Sequence, residues 1–233
     1  MDQLHLLKNT KWRYLLLLDA CRYDFFEEEY KHYLEGELVK AWSPACRTND
    51  WLSRAFPGKQ SNIVYFSGTP LLAMLKHLGV EKWGVLLEPW REEYDYNLYT
   101  CHPSVLNRAV LKEKDKIPAE KQVIVHYVQP HYPYIGTVNL GFSVPGNCGT
   151  LEQIYRTIKE RNLFDRWREA YRANLRLVLE YVSELVEHLE ETIVVTSDHG
   201  EMLGEDNMYF HNYPPSITHP KLRTVPWLVI KKD

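Results

Sequence analysis

Apolar residues fall into two rhythms along this chain. Continuous apolar runs occur at 14–18, 63–66, 84–87, 123–128, 193–196 and 227–230, too short for helices and rich in β-branched or aromatic side chains. Continuous rather than alternating apolar character marks strands covered on both faces, as in a parallel sheet. Between these runs, apolar positions recur every three or four residues at 24–34, 49–55, 71–77, 104–114, 151–161 and 165–189, which predicts helices. The last is the clearest: Trp167, Tyr171, Leu175, Val178, Val182, Leu185 and Leu189 form one stripe, with charged residues elsewhere. Strand and helix alternate, and that alternation predicts a three-layer α/β/α sandwich with a mostly parallel central sheet. Two stretches keep neither rhythm, 129–149 and 204–223, and read as long loops of the kind that carry function.

Two of the strands stop at an acid. Tyr14-Leu15-Leu16-Leu17-Leu18 ends in Asp19, and Ile193-Val194-Val195-Thr196-Ser197 ends in Asp198-His199-Gly200-Glu201. Ligands of an open α/β sheet bind outside the carboxyl ends of its strands, so Asp19, Asp198 and His199 are expected to meet there. A divalent cation at a phosphate-processing site takes carboxylate, imidazole and hydroxyl ligands, which here are those three residues and one further loop oxygen. The segment from Ser43 to Leu52 enters a helix near Thr48 or Asn49, where the dipole and free N–H groups favour an alkoxide and the anion it attacks. Thr48 is the first candidate for both that ligand and the nucleophile, with Ser43 and Cys46 in reserve. Arg47 beside it is a substrate-binding candidate. His131 lies just past the strand at 123–128, placed to bind substrate or act as general acid, whereas His126 within that strand reads as a buried core residue. His211 and His219 flank the segment 212–218, and one of them is expected to complete the site.

Composition narrows the partners. A formal net charge of −3 over 233 residues, with basic and acidic residues interspersed, gives no footprint for nucleic acid. Four cysteines, Cys21, Cys46, Cys101 and Cys148, form no C-x-x-C pair and suggest a reducing compartment. No apolar run reaches the roughly 20 residues that span a bilayer, and no signal-like segment opens the chain. One domain over 1–233, soluble and cytoplasmic, is therefore expected. Oligomeric state is left open.

The strand-end Asp19, the Thr48 loop, Pro130-His131-Tyr132-Pro133-Tyr134 and Thr196-Ser197-Asp198-His199-Gly200-Glu201-Met202-Leu203-Gly204-Glu205 together resemble the alkaline phosphatase/sulfatase superfamily over most of the chain. The His-Tyr-Pro-Tyr segment is more similar to its single-metal branch, which includes sulfatases, lipoteichoic acid synthases and phosphoethanolamine transferases. That resemblance implies an alkaline phosphatase-like fold and one tightly held divalent ion (Zn, Mn, Mg or Ca) on Asp19, Thr48, Asp198 and His199. It also implies a small-molecule or glycan-linked phosphate ester as substrate. Sulfatases of the superfamily need a Cys/Ser-x-Pro-x-Arg segment for formylglycine, and neither Cys21 nor Cys46 opens one. A threonine nucleophile favours phosphorus chemistry. A sulfatase and a catalytically inactive binding module are the alternatives.

Overall fold

A computed structural model describes residues 1–142, 151–214 and 216–232. The far part of the expected 129–149 loop, with Cys148, and Pro215 in the second loop lie outside the described residues.

Seven strands form one sheet: β1 (Tyr14–Asp19), β2 (Glu37–Trp42), β3 (Gln60–Ser67), β4 (Trp83–Leu87), β5 (Gln122–Pro130), β6 (Thr192–Ser197) and β7 (Thr224–Lys231). Their order is β2-β7-β6-β1-β5-β3-β4. Pairings β1 with β5, β1 with β6, β3 with β5 and β3 with β4 are parallel. Only β7 runs against its neighbours β6 and β2. The sheet is mostly parallel, as the apolar runs imply, and every residue of β1 is buried.

Side chains of a strand point alternately to its two faces, and β1 shows the consequence. Leu16 and Leu18 enter a core built with α2 (Tyr23–Glu29), α4 (Pro103–Glu113) and α6 (Phe164–Glu187), while Leu15 and Leu17 enter a second core with α3 (Thr48–Ala55). Leu6 and Leu7 of α1 (Gln3–Asn9) pack against that second core. The stripe read on 165–189 does face the first core: Trp167, Tyr171, Leu175, Val178, Val182 and Leu185 are all fully buried. A further helix, α5 (Leu151–Glu160), packs beside α6.

Three local expectations change. β2 has no continuous apolar run, because it is an edge strand with Lys40 and Glu37 among its residues and much of its length exposed. The helix expected at 24–34 ends at Glu29 and tightens into a 3₁₀ turn at Tyr30–His32. The one at 71–77 shrinks to a single turn, Leu71–Met74. Among the described residues, no helix is long and apolar enough to cross a membrane.

Candidate metal centre

Parallel pairing brings the ends of β1 and β6 together. Leu18 is in register with Ser197, so Asp19 and Asp198 leave neighbouring strands at one edge. On the other side of β1, Leu17 pairs with His126 and Asp19 with Pro130, which sets His131 beside the acid; the His131 amide donates to the Asp19 carbonyl at 3.2 Å. β2 delivers the fourth group. After Trp42 the chain crosses toward β6, where the Ser43 hydroxyl donates to the Asp198 carbonyl oxygen, and α3 then begins at Thr48. Arg47 occupies the cap position, leaving Thr48 as the first helical residue with its hydroxyl free of capping duty.

The side chains converge on the imidazole of His199. Its Nε2 lies 3.3 Å from Asp198 Oδ2, 3.7 Å from Asp19 Oδ1 and 3.3 Å from Thr48 Oγ1. Four ligands at zinc-like bond lengths of ~2.0–2.2 Å sit about 3.3–3.6 Å apart at tetrahedral corners, so these separations suit a small divalent ion. Hydrogen bonding points the same way. His199 Nδ1 donates to the Gly200 carbonyl at 2.9 Å, which leaves Nε2 as the ring nitrogen that can offer a lone pair to an ion. Asp198 Oδ1 accepts from the amides of Ala20 and His199 at 3.1 and 2.9 Å. Asp198 Oδ2 and Asp19 Oδ1 are buried without a hydrogen-bond partner. Buried carboxylate oxygens left unpaired are costly, and a cation between them removes that cost. Burial would raise the Asp19 carboxyl, but His126, with Nε2 3.7 Å from Asp19 Oδ2, acts with His131 and His199 to hold it well below the usual carboxylate range.

A second group adjoins the first. His131, Glu201 and His211 each bring one ligand atom within 4.8 Å of the others. His211 Nδ1 and Glu201 Oε1 are 2.9 Å apart, and the His211 ring lies 4.3 Å from that of His199 and 5.0 Å from that of His131, centre to centre. Burial pushes Glu201 up to about 8 against the pull of His131 and His199. Burial, reinforced by His131, pulls His211 down to about 4.

The remaining candidates have other partners. His219 caps the turn Pro220–Arg223, accepting from the Lys221 amide at 3.1 Å, and its Nε2 meets Asp206 at 3.0 Å, so of the two loop histidines the structure brings only His211 into the cluster. Arg47 is half-buried and paired with Asp50 at 2.6 Å. Ser43 is spent on backbone carbonyls, and the Cys46 thiol faces the Tyr213 carbonyl at 3.4 Å with its pKa raised by burial. Glu201 and His126 were not singled out as site residues in the sequence. Glu201 had a signal, two positions after His199 in the same run, whereas His126 is distinguished only by the strand that carries it beside Asp19.

No family model and no curated protein matches the sequence. Solved structures do. The chain is similar to the integral membrane protein lipooligosaccharide phosphoethanolamine transferase A from Neisseria meningitidis (14% identity, TM-score 0.69), with 96% of this chain covered and 48% of the other, so it spans about half that protein's length. It is also similar to the C-terminal periplasmic domain of EptC from Escherichia coli in complex with Zn (13%, TM-score 0.57, 94% and 72% covered). A third likeness is to a protein of the alkaline phosphatase superfamily from Vibrio parahaemolyticus (10%, TM-score 0.57, 94% and 60% covered). At these identities the likeness is one of fold: the chain has the alkaline phosphatase-like fold that its motifs resemble.

Proposed function

We propose that this chain is a divalent-cation-dependent enzyme that transfers or hydrolyses a phosphate ester, with Thr48 as nucleophile. One observation carries the reading: two buried carboxylate oxygens with no hydrogen bond, together with the Thr48 hydroxyl, surround a single imidazole nitrogen. A phosphoethanolamine transferase and a zinc complex among the fold relatives support both halves of it.

Asp19, Asp198 and His199, with Thr48, would hold the ion, which supplies positive charge that lowers a hydroxyl pKa and offsets charge on phosphoryl oxygens. Thr48 Oγ1, its proton released to solvent water, attacks phosphorus in line as the bond to the leaving oxygen breaks. The amino end of α3 adds its dipole at the attacking atom. His131 gives its proton to the leaving oxygen, and Glu201 holds His211 by its Nδ1 so that Nε2 faces substrate. Water or an acceptor alcohol then attacks phosphorus, giving its proton back to His131 as the bond to Thr48 Oγ1 breaks. The substrate in this reading is a small-molecule or glycan-linked phosphate ester.

The decisive assay offers chromogenic phosphomonoester, phosphodiester, phosphonate and sulfate esters to the purified protein with Zn, Mn, Mg and Ca in turn. Turnover of a phosphate ester is expected, and Thr48→Ala is expected to lower it by on the order of 10³-fold or more, the scale of losing a nucleophile. A Thr48→Ala protein with undiminished turnover removes Thr48 from that role.

A further inference from the structure

Between Asp19 and Arg22 the chain turns tightly, and the turn is braced from outside. Ala20 has φ of 58°, a left-handed conformation that costs a non-glycine residue about 1–2 kcal/mol. Both of its backbone polar groups are engaged. Its N–H donates to Asp198 Oδ1 at 3.1 Å, and its carbonyl accepts from the Tyr171 hydroxyl at 2.7 Å. The Arg22 amide donates to the same phenol oxygen at 2.8 Å, so one hydroxyl bridges the residues on either side of Cys21. Cys21 in turn donates its amide to Ser197 Oγ at 2.8 Å. Tyr171 is fully buried in α6, its ring edge-on to Phe25 at 5.0 Å.

The turn supplies one of the donors that hold Asp198 Oδ1. That oxygen accepts from the Ala20 and His199 amides and lies 3.3 Å from the Ser197 hydroxyl, whereas Oδ2 has no hydrogen bond and lies 3.3 Å from His199 Nε2. We propose that Tyr171 is a positioning residue for the cation site: its hydroxyl fixes Ala20 in the conformation that aims the amide at Asp198 Oδ1 and so presents Oδ2 to the ion. The inference rests on the reading of Asp19, Asp198 and His199 as that site. Groups that orient metal ligands at one remove are typically worth roughly 10–100-fold in affinity.

Tyr171→Phe keeps the ring and its packing and removes the bridge. The full chain, stripped of metal, is titrated with Zn²⁺ in competition with a chromogenic chelator, as wild type, Tyr171→Phe and Asp198→Asn. The variant is expected to bind Zn²⁺ roughly 10–100-fold more weakly than wild type and to exchange the Ala20 amide hydrogen faster in the metal-free state. Affinity within twofold of wild type, whatever happens to the thermal midpoint, makes Tyr171 a core residue only and overturns the proposal. Should Tyr171→Phe yield too little folded protein, para-aminophenylalanine at 171, which can still donate and accept, is compared with para-methylphenylalanine, which has similar size and does neither. Equal Zn²⁺ affinity in that pair overturns the proposal too. Wild type that binds no Zn²⁺, or Asp198→Asn that binds it as tightly as wild type, overturns the cation site and the clamp with it.

Discussion

Gly200 shows how one residue's size governs the site. A Cβ built there meets the Lys221 carbonyl oxygen at 1.9 Å, so any side chain must push the turn Pro220–Arg223 away. The Gly200 amide donates to the Leu222 carbonyl at 2.8 Å, and its own carbonyl receives His199 Nδ1. Gly200→Ala is therefore expected to lower the thermal midpoint and to weaken zinc binding by more than about tenfold, the range for disturbing a ligand's hydrogen-bonded support. Unchanged affinity in a zinc titration contradicts this account. At this scale the sequence was informative about residue type and silent about partners. Ser43, Cys46 and Thr48 all offered a nucleophilic atom within six residues, and only tertiary contacts separate them: Ser43 is tied to the Asp198 carbonyl, Cys46 faces Tyr213, and Thr48 faces His199. Cys46→Ala is accordingly expected to keep its turnover in the ester assay that Thr48→Ala fails.

At the scale of elements, the segment that carries the turn after Asp19 is fastened to the longest helix by charge. Glu29 of α2 is buried and meets Arg176 at 2.8 Å and Arg172 at 2.8 Å, both on α6. The Arg176 bond comes first among the causes that hold its carboxyl below the ordinary 4.5, with Arg172 adding to it and burial opposing. A carboxyl whose pKa is depressed by folding contributes stability that is present above its unfolded pKa and is lost as pH falls through the lower folded value. Glu29→Gln is thus expected to destabilise the protein by about 1–3 kcal/mol near neutrality. The gap to wild type should narrow below pH 4.5, as followed by denaturant unfolding across pH. A gap that stays constant from pH 7 to pH 3 would falsify the assignment of that stability to the ion pairs. Elements were legible where burial left a one-sided mark. β1, β5, β6 and α6 announced themselves by runs or stripes because both faces, or one long face, are covered. β2 did not, since an edge strand beside solvent needs no continuous apolar run.

For the whole molecule, the expectation is linkage between fold and ion. Anything that binds the folded chain alone stabilises it, by ~2.7 kcal/mol at one hundred times its dissociation constant. Chelation is therefore expected to lower the thermal midpoint, and zinc or manganese restored at that excess to raise it by roughly 5–10 °C for a chain of this size. A midpoint indifferent to both chelator and every divalent ion would leave the orphaned oxygens of Asp19 and Asp198 without the partner proposed for them. The same architecture explains why groups far apart in sequence share one edge: six strands run in one direction, so their carboxyl ends open on the same side.

The sequence by itself determined the layers, the parallel sheet and the identity of the acid and imidazole that end β6, because burial on both faces imposes a pattern that any reader of hydrophobicity can see. Tertiary structure alone decided that His211 rather than His219 joins the cluster, that Glu201 is buried beside it and that a phenol on α6 braces the turn after Asp19. Those choices depend on distances of a few ångströms between segments up to 151 residues apart along the chain, and periodicity carries no information about which loop crosses which strand end.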